Sequence, residues 1–201
     1  MAATESKHLS LGLALPKFSL PDVRSRTLVS GSEYEGRPVL VIFLCAHCPY
    51  VVHVAPEIAR VAKDYAQTSL AIVGITSNDI AAYPQDAPEP TAIFAESQGL
   101  TFPVLFDATQ TVAHSFSASC TPDFYIFDSA HRLAYHGQMD DSRPTRGPDR
   151  PGQGTLDGAS LRDALNRVLD GQKPPADQKT SIGCSIKWLP GNEPVFAGSK
   201  A

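Results

Sequence analysis

Apolar positions fall in short blocks along this chain, and two spacings alternate between them. "RPVLVIFLC", residues 37 to 45, is continuous and rich in β-branched residues. It predicts a strand buried on both faces. Between Pro49 and about Gln67, residues Val51, Val54, Ile58, Val61 and Tyr65 recur at three- and four-residue steps, which predicts a helix with one apolar face. Pro56 falls inside that helix and should kink it. "SLAIVGITS" (69 to 77) predicts a second buried strand, and the stretch 78 to 90, with its three prolines, a loop. "TAIFAESQG" then predicts a short helix closed by Gly99, "TFPVLFD" a third strand, and "TQTVAHSFSA" another short helix. "FYIFDSAHRLAYHG" predicts a hairpin turning at Asp128 to His131. A loop rich in Arg, Pro and Gly (138 to 157) leads to "GASLRDALNRVLDG", an amphipathic helix ending at Gly171. The last stretch is proline-rich and irregular apart from "SIGCSIKW".

The order is β-α-β-α-β-(α)-β-β-α. Strands that alternate with helices imply parallel pairing, and the hairpin adds antiparallel strands at one end. The expected class is α/β: a central mixed sheet with helices on both faces. One domain is expected over 1–201, with a core of about 10–171 and a C-terminal tail (172–201) docked on it.

Composition narrows the function classes. The formal charge of −4 lacks the basic excess of a nucleic-acid surface. No apolar run reaches the ~20 residues that span a bilayer. The N-terminal segment lacks a basic start and a long apolar stretch, so no signal peptide is expected, and the expected location is the cytoplasm. Cysteines are kept reduced there, and a C-x-x-C pair is then catalytic or metal-binding more often than structural.

"FLCAHCPYV" holds two of the four cysteines, Cys45 and Cys48. Cys48 precedes Pro49 at the predicted helix start, where unpaired N–H groups and the helix dipole favour an anion. Its thiolate is the candidate nucleophile. Cys45 is either the resolving thiol or a small core residue at a strand end. His47, between them, is either a proton carrier near neutral pH or an exposed loop residue. His53 lies off the apolar stripe and should be solvated. Cys184, in "SIGCSIKW", is either a resolving thiol delivered by the tail or a docking residue helped by Trp188. Arg143, Arg146 and Arg150 could bring a cation near the thiolate. The rival class is a metal-binding module, with zinc or copper held by Cys45, His47, Cys48 and either Cys120 or Cys184. The redox reading is preferred, with no cofactor and no bound metal.

These motifs, in this order, resemble the thioredoxin fold and, more narrowly, the peroxiredoxin-like branch of the alkyl hydroperoxide reductase/thiol-specific antioxidant family. "LPKFSLPDV" is similar to that family's lead-in strand. "VLVIFLCAHCPYV" ends a strand with the cysteine motif and opens a helix, and Pro56 has the spacing of the thioredoxin helix proline. "CTPDFYIFD" carries Thr121-Pro122 where thioredoxins place a cis-proline facing the active thiol. The resemblance puts Cys48 at the nucleophile position and Val51 where thioredoxins carry their second cysteine. It implies a backbone edge at Thr121 for an extended substrate, with Cys120 close to the active thiol. It also implies a thioredoxin- or glutathione-like thiol reductant, a disulfide or peroxide substrate, and a possible homodimer. Cys45 stands where the family carries Thr or Ser, Val41 where it carries Pro, and Pro122 where it carries the peroxidatic Arg. Disulfide exchange is therefore expected to outpace peroxide reduction.

Overall fold

The computed structural model describes residues 3–145, 147 and 151–194. Ten strands occur among them: β1 (Ala3–Glu5), β2 (Ser19–Pro21), β3 (Leu28–Ser30), β4 (Val39–Phe43), β5 (Ala71–Thr76), β6 (Val104–Phe106), β7 (Cys120–Thr121), β8 (Asp123–Phe127), β9 (Leu133–Gly137) and β10 (Ile182–Ser185). The α-helices are α1 (Pro49–Asp64), α2 (Pro88–Ser97), α3 (Thr111–Ser115) and α4 (Ala159–Leu169).

The central sheet has the order β6-β5-β4-β8-β9. Strands β4, β5 and β6 are parallel to one another, β8 runs antiparallel to β4, and β9 runs antiparallel to β8. All five residues of β4 are buried. The alternation of side chains sends Leu40, Ile42 and Leu44 to one face and Val39, Val41 and Phe43 to the other. The first face is covered by Val51, Val54, Ile58 and Val61 of α1 and by Leu161 and Leu165 of α4. Burying each such side chain is worth roughly 1.5–3 kcal/mol. The second face packs against Val112 and Ala113 of α3, against Phe116, and against Phe18 and Val29 from the N-terminal hairpin β2–β3. The expected mixed sheet with helices on both faces is therefore present.

The differences from the expected elements have local causes. Helix α1 continues through Pro56 as one segment to Asp64. Helix α2 starts at Pro88, earlier than expected, because a proline in the first turn gives up an N–H that would have no partner there. No helix among the described residues is long and apolar enough to cross a membrane.

A second, three-stranded antiparallel sheet, β1-β10-β7, was not expected. Its register pairs Thr4 with Gly183, Cys184 with Thr121, and Ser185 with Cys120. It extends through Ile186 N–H donating to Ser119 O at 3.0 Å and Ser6 N–H donating to Ser181 O at 2.8 Å. The tail is thus a strand against β7, and Trp188 packs on His114 with ring centroids 4.6 Å apart.

Candidate active site

Strand β4 delivers the chain to Cys45, a turn of two residues follows, and α1 begins. Cys48 is the N-cap of α1, in extended backbone (φ −72°, ψ 122°), and Pro49 is the first helical residue. Cys48 is fully buried. In its protonated form it can donate to the Thr121 carbonyl at 3.2 Å. The Thr121–Pro122 peptide is cis.

Donors otherwise converge on the Cys48 sulfur. The thiols of Cys184, first, and Cys45, and the amides of Val51 and Cys184, favour its thiolate. The Val51 amide helps without forming a well-shaped capping bond. Together they outweigh burial and the single carbonyl, and hold the Cys48 pKa far below that of a free thiol. Cys45 moves the other way. Its donation to Cys48, its burial and the nearby Asp86 charge push its pKa well up, and the Thr121 side chain opposes this. Cys45 Sγ lies 3.3 Å from Thr121 Oγ1. The surroundings therefore favour the anion at Cys48 and the protonated form at Cys45.

Asp86, which the sequence reading passed over as part of a proline-rich loop, fixes the turn between the two cysteines. This fully buried carboxylate accepts Ala46 N–H at 3.0 Å and His47 N–H at 3.3 Å on one oxygen. Its other oxygen takes His47 Nδ1 at 2.5 Å and the Asn78 side-chain amide at 2.7 Å. His47 is thus tied to Asp86 and stacked on Tyr83, with centroids 5.6 Å apart, and is not a free loop residue. Its Nε2 is buried without a partner among the described residues. Asn78 also accepts Lys187 N–H at 2.8 Å, which ties the cysteine turn to the segment after β10. The only hint in the sequence is the polar run Ser77-Asn78-Asp79 straight after an apolar strand.

Several expectations change. The Thr121 edge, expected to receive an extended substrate, is already paired with the protein's own β10 at Cys184. Thr121 and Pro122 still face the cysteines, but that edge is not open. Cys120 is near enough to Cys48 for the Cys48 charge to act on it, as expected, but its sulfur points to the Ser181 carbonyl at 4.0 Å. Burial, first, and the Asp123 charge push its pKa well up. Alternation along β7 sends neighbouring side chains to opposite faces, so Cys120 and Thr121 cannot both face the site. Arg143 donates to Asp140 O (3.1 Å), Ser142 O (2.6 Å) and Gln138 Oε1 (2.7 Å), so its donors are committed away from the thiolate. It lines a small pocket beside Pro122 with Tyr50, His53, Met139 and Ile182. His53 is half-buried, and its Nε2 meets Ser142 Oγ at 3.0 Å. Arg146 and Arg150 lie outside the described residues.

A metal, if held, would meet a different set from the expected one. Cys45 Sγ, a His47 ring nitrogen and an Asp86 oxygen lie within 4.8 Å of one another. The Asp86 oxygens already accept from amides and from His47 Nδ1, which leaves Cys45 and His47 Nε2 as the groups with capacity to spare.

The model of the AhpC/TSA family matches residues 11–136, a span that contains Cys45, Cys48 and Thr121-Pro122. A Mycobacterium tuberculosis protein named as a peroxiredoxin is 34% identical over 116 residues, 57% of this chain and 68% of that one. A crystal structure of a conserved protein from Geobacillus kaustophilus is 44% identical, with a TM-score of 0.87, over 95% of this chain and 98% of the other. A thiol:disulfide interchange protein of Chlorobium tepidum, 18% identical with a TM-score of 0.59 over 81% of this chain and 99% of that one, shares the thioredoxin fold. With the family model covering most of the chain and the cysteine turn inside it, this protein belongs to the AhpC/TSA family and is a thioredoxin-fold, thiol-dependent oxidoreductase.

Proposed function

We propose that the protein performs two-electron thiol redox chemistry with Cys48 as the nucleophile and small molecules as its oxidants. The observation that carries this reading is the place of Cys48, a buried sulfur at the N-cap of α1 just before Pro49 and 3.2 Å from the Thr121 carbonyl. A thiolate is the attacking species in disulfide exchange, and donors that stabilise it keep it available at neutral pH. Cys45 holds its proton and can pass it to a leaving group. The product disulfide joins Cys48 to one of the two thiols buried in the same cluster, Cys45 or Cys184. A dithiol or glutathione-like reductant reopens it. A small disulfide is preferred over a hydroperoxide, because peroxide cleavage needs donors aimed at the departing oxygen. Pro122 offers no donor, and Arg143 is engaged elsewhere.

Rates of reaction with a small aryl disulfide and with hydrogen peroxide test this reading. Cys48→Ser should abolish both. Wild-type Cys48 should react at a rate nearly independent of pH from about 6 to 8, whereas a free thiol of pKa about 8.5 gains roughly tenfold per unit. A Cys48→Ser protein that turns over normally, or a rate midpoint near 8.5, defeats the assignment.

A further inference from the structure

Strand β10 lies where the cysteine site would otherwise be open. Cys184 pairs with Thr121, the residue whose carbonyl is 3.2 Å from Cys48 Sγ. At the preceding residue the two backbones nearly touch: a Cβ at Gly183 would sit 2.0 Å from the Thr121 oxygen. Cys48, Thr121 and Cys184 are all buried in consequence. Cys184 belongs to the same buried cluster as Cys45 and Cys48, and its thiol and amide favour the Cys48 thiolate. The span matched by the family model ends at residue 136, so Cys184 lies beyond it.

We propose that Cys184 is the thiol that closes the disulfide with Cys48, and that β10 is a strap holding it in the place of a substrate strand. This rests on Cys48 being the nucleophile. Two features favour Cys184 over Cys45. The turn joining Cys45 to Cys48 is clamped, with both intervening amides bound to Asp86, and this resists the approach of two sulfurs to the ~2.05 Å of a disulfide bond. A Cys45 thiolate would also form within 4.8 Å of the Asp86 carboxylate, so ionisation there sets two anions together in a buried place. Cys184 sits on a short strand held by backbone pairing, which can shift as a unit.

The chemistry balances as two exchanges. The Cys48 thiolate attacks a disulfide Ar–S–S–Ar, the S–S bond breaks, and one ArS⁻ leaves a Cys48–S–S–Ar adduct. The Cys184 thiol loses its proton to solvent and attacks the Cys48 sulfur. It forms the Cys48–Cys184 bond and releases the second ArS⁻. Two protein thiols have given two electrons to the aryl disulfide, and an external dithiol returns them.

The test uses the full-length protein and 5,5′-dithiobis(2-nitrobenzoate), followed by maleimide quenching and mapping of undigested bonds by mass spectrometry. Trypsin leaves Cys45 and Cys48 in one peptide and Cys184 in another ending at Lys187, so the two outcomes differ in mass. Wild type and Cys45→Ser should each release two coloured thiolates per chain and yield the crosslink to the Cys184 peptide. Cys184→Ser should release one thiolate per chain and keep the aryl adduct on Cys48. The proposal fails if the wild-type disulfide lies within the Cys45–Cys48 peptide while Cys184 takes up maleimide, or if Cys45→Ser loses the crosslink. Either result leaves Cys48 as the nucleophile. A Cys48→Ser protein that still consumes the reagent at the wild-type rate overturns both readings.

Discussion

Replacing Gly183 by alanine should uncover the active thiol. The added Cβ would stand 2.0 Å from the Thr121 oxygen, 2.6 Å from its carbonyl carbon and 3.2 Å from Pro122 N. All three are backbone atoms, so no flexible side chain can yield. Contacts of this kind relax only near 3.5 Å, so β10 must move by about 1.5 Å, enough to break a hydrogen bond. The pairing of Cys184 and Ser185 with β7 and the Ile186–Ser119 bond are the ones at stake. At about 1 kcal/mol net each, three lost bonds cost roughly 3 kcal/mol. For a chain of this size that is a fall in Tm of roughly 6–12 °C. The effect on Cys48 should be larger than the effect on the fold. If half of that cost is the free energy that keeps the strap closed, the alkylation rate of Cys48 rises by about tenfold, with a hundredfold as the upper reach. The assay is iodoacetamide labelling read by mass spectrometry, with circular dichroism at the same temperature to show that the chain remains folded. A Gly183→Ala protein with unchanged Tm and unchanged labelling would show that β10 does not cover Cys48, and would remove the basis for the strap.

Other expectations follow from the same structure. Asp86→Ala leaves the Ala46, His47 and Asn78 donors without their buried acceptor. It should cost about 3–5 kcal/mol, seen as a lower urea midpoint, and Asp86→Asn, which keeps an acceptor for the amides, should recover part of it. Alkaline pH should also destabilise the fold. Cys45 and Cys120 have pKa values raised by folding, so above ~8.5 the unfolded chain sheds protons that the native one keeps, and stability falls by up to about 1.4 kcal/mol per pH unit for each group. Cys120→Ser should remove one group's share of that slope between pH 8.5 and 10, and an unchanged slope would refute the burial argument. Cys48 contributes with the opposite sign: its depressed pKa adds stability that is complete above ~8.5 and declines as pH falls toward its folded value.

The sequence determined the sheet and the nucleophile's seat through local signals. Strand β4 is a run of residues apolar on both faces, and such a run can only be buried at the centre of a sheet. The α1 stripe and Pro49 placed Cys48 at a helix start, where the chemistry of an anion follows from the backbone alone. What surrounds that sulfur was decided by tertiary contacts. Strands β1 and β10 are three and four residues long and carry no alternation to announce them. They exist because each finds a partner edge far away in the chain. Gly183 lets β10 close on Thr121 because it has no Cβ, and nothing in its neighbours states that another backbone will lie there. Asp86 gives the same lesson from the polar side. A carboxylate in a proline-rich loop reads as solvated, and only the fold turns it inward onto two amides, an imidazole and a carboxamide. Periodicity reports which face of an element is apolar, while the pairing of distant edges depends on loop closure and on shape, neither of which leaves a local pattern.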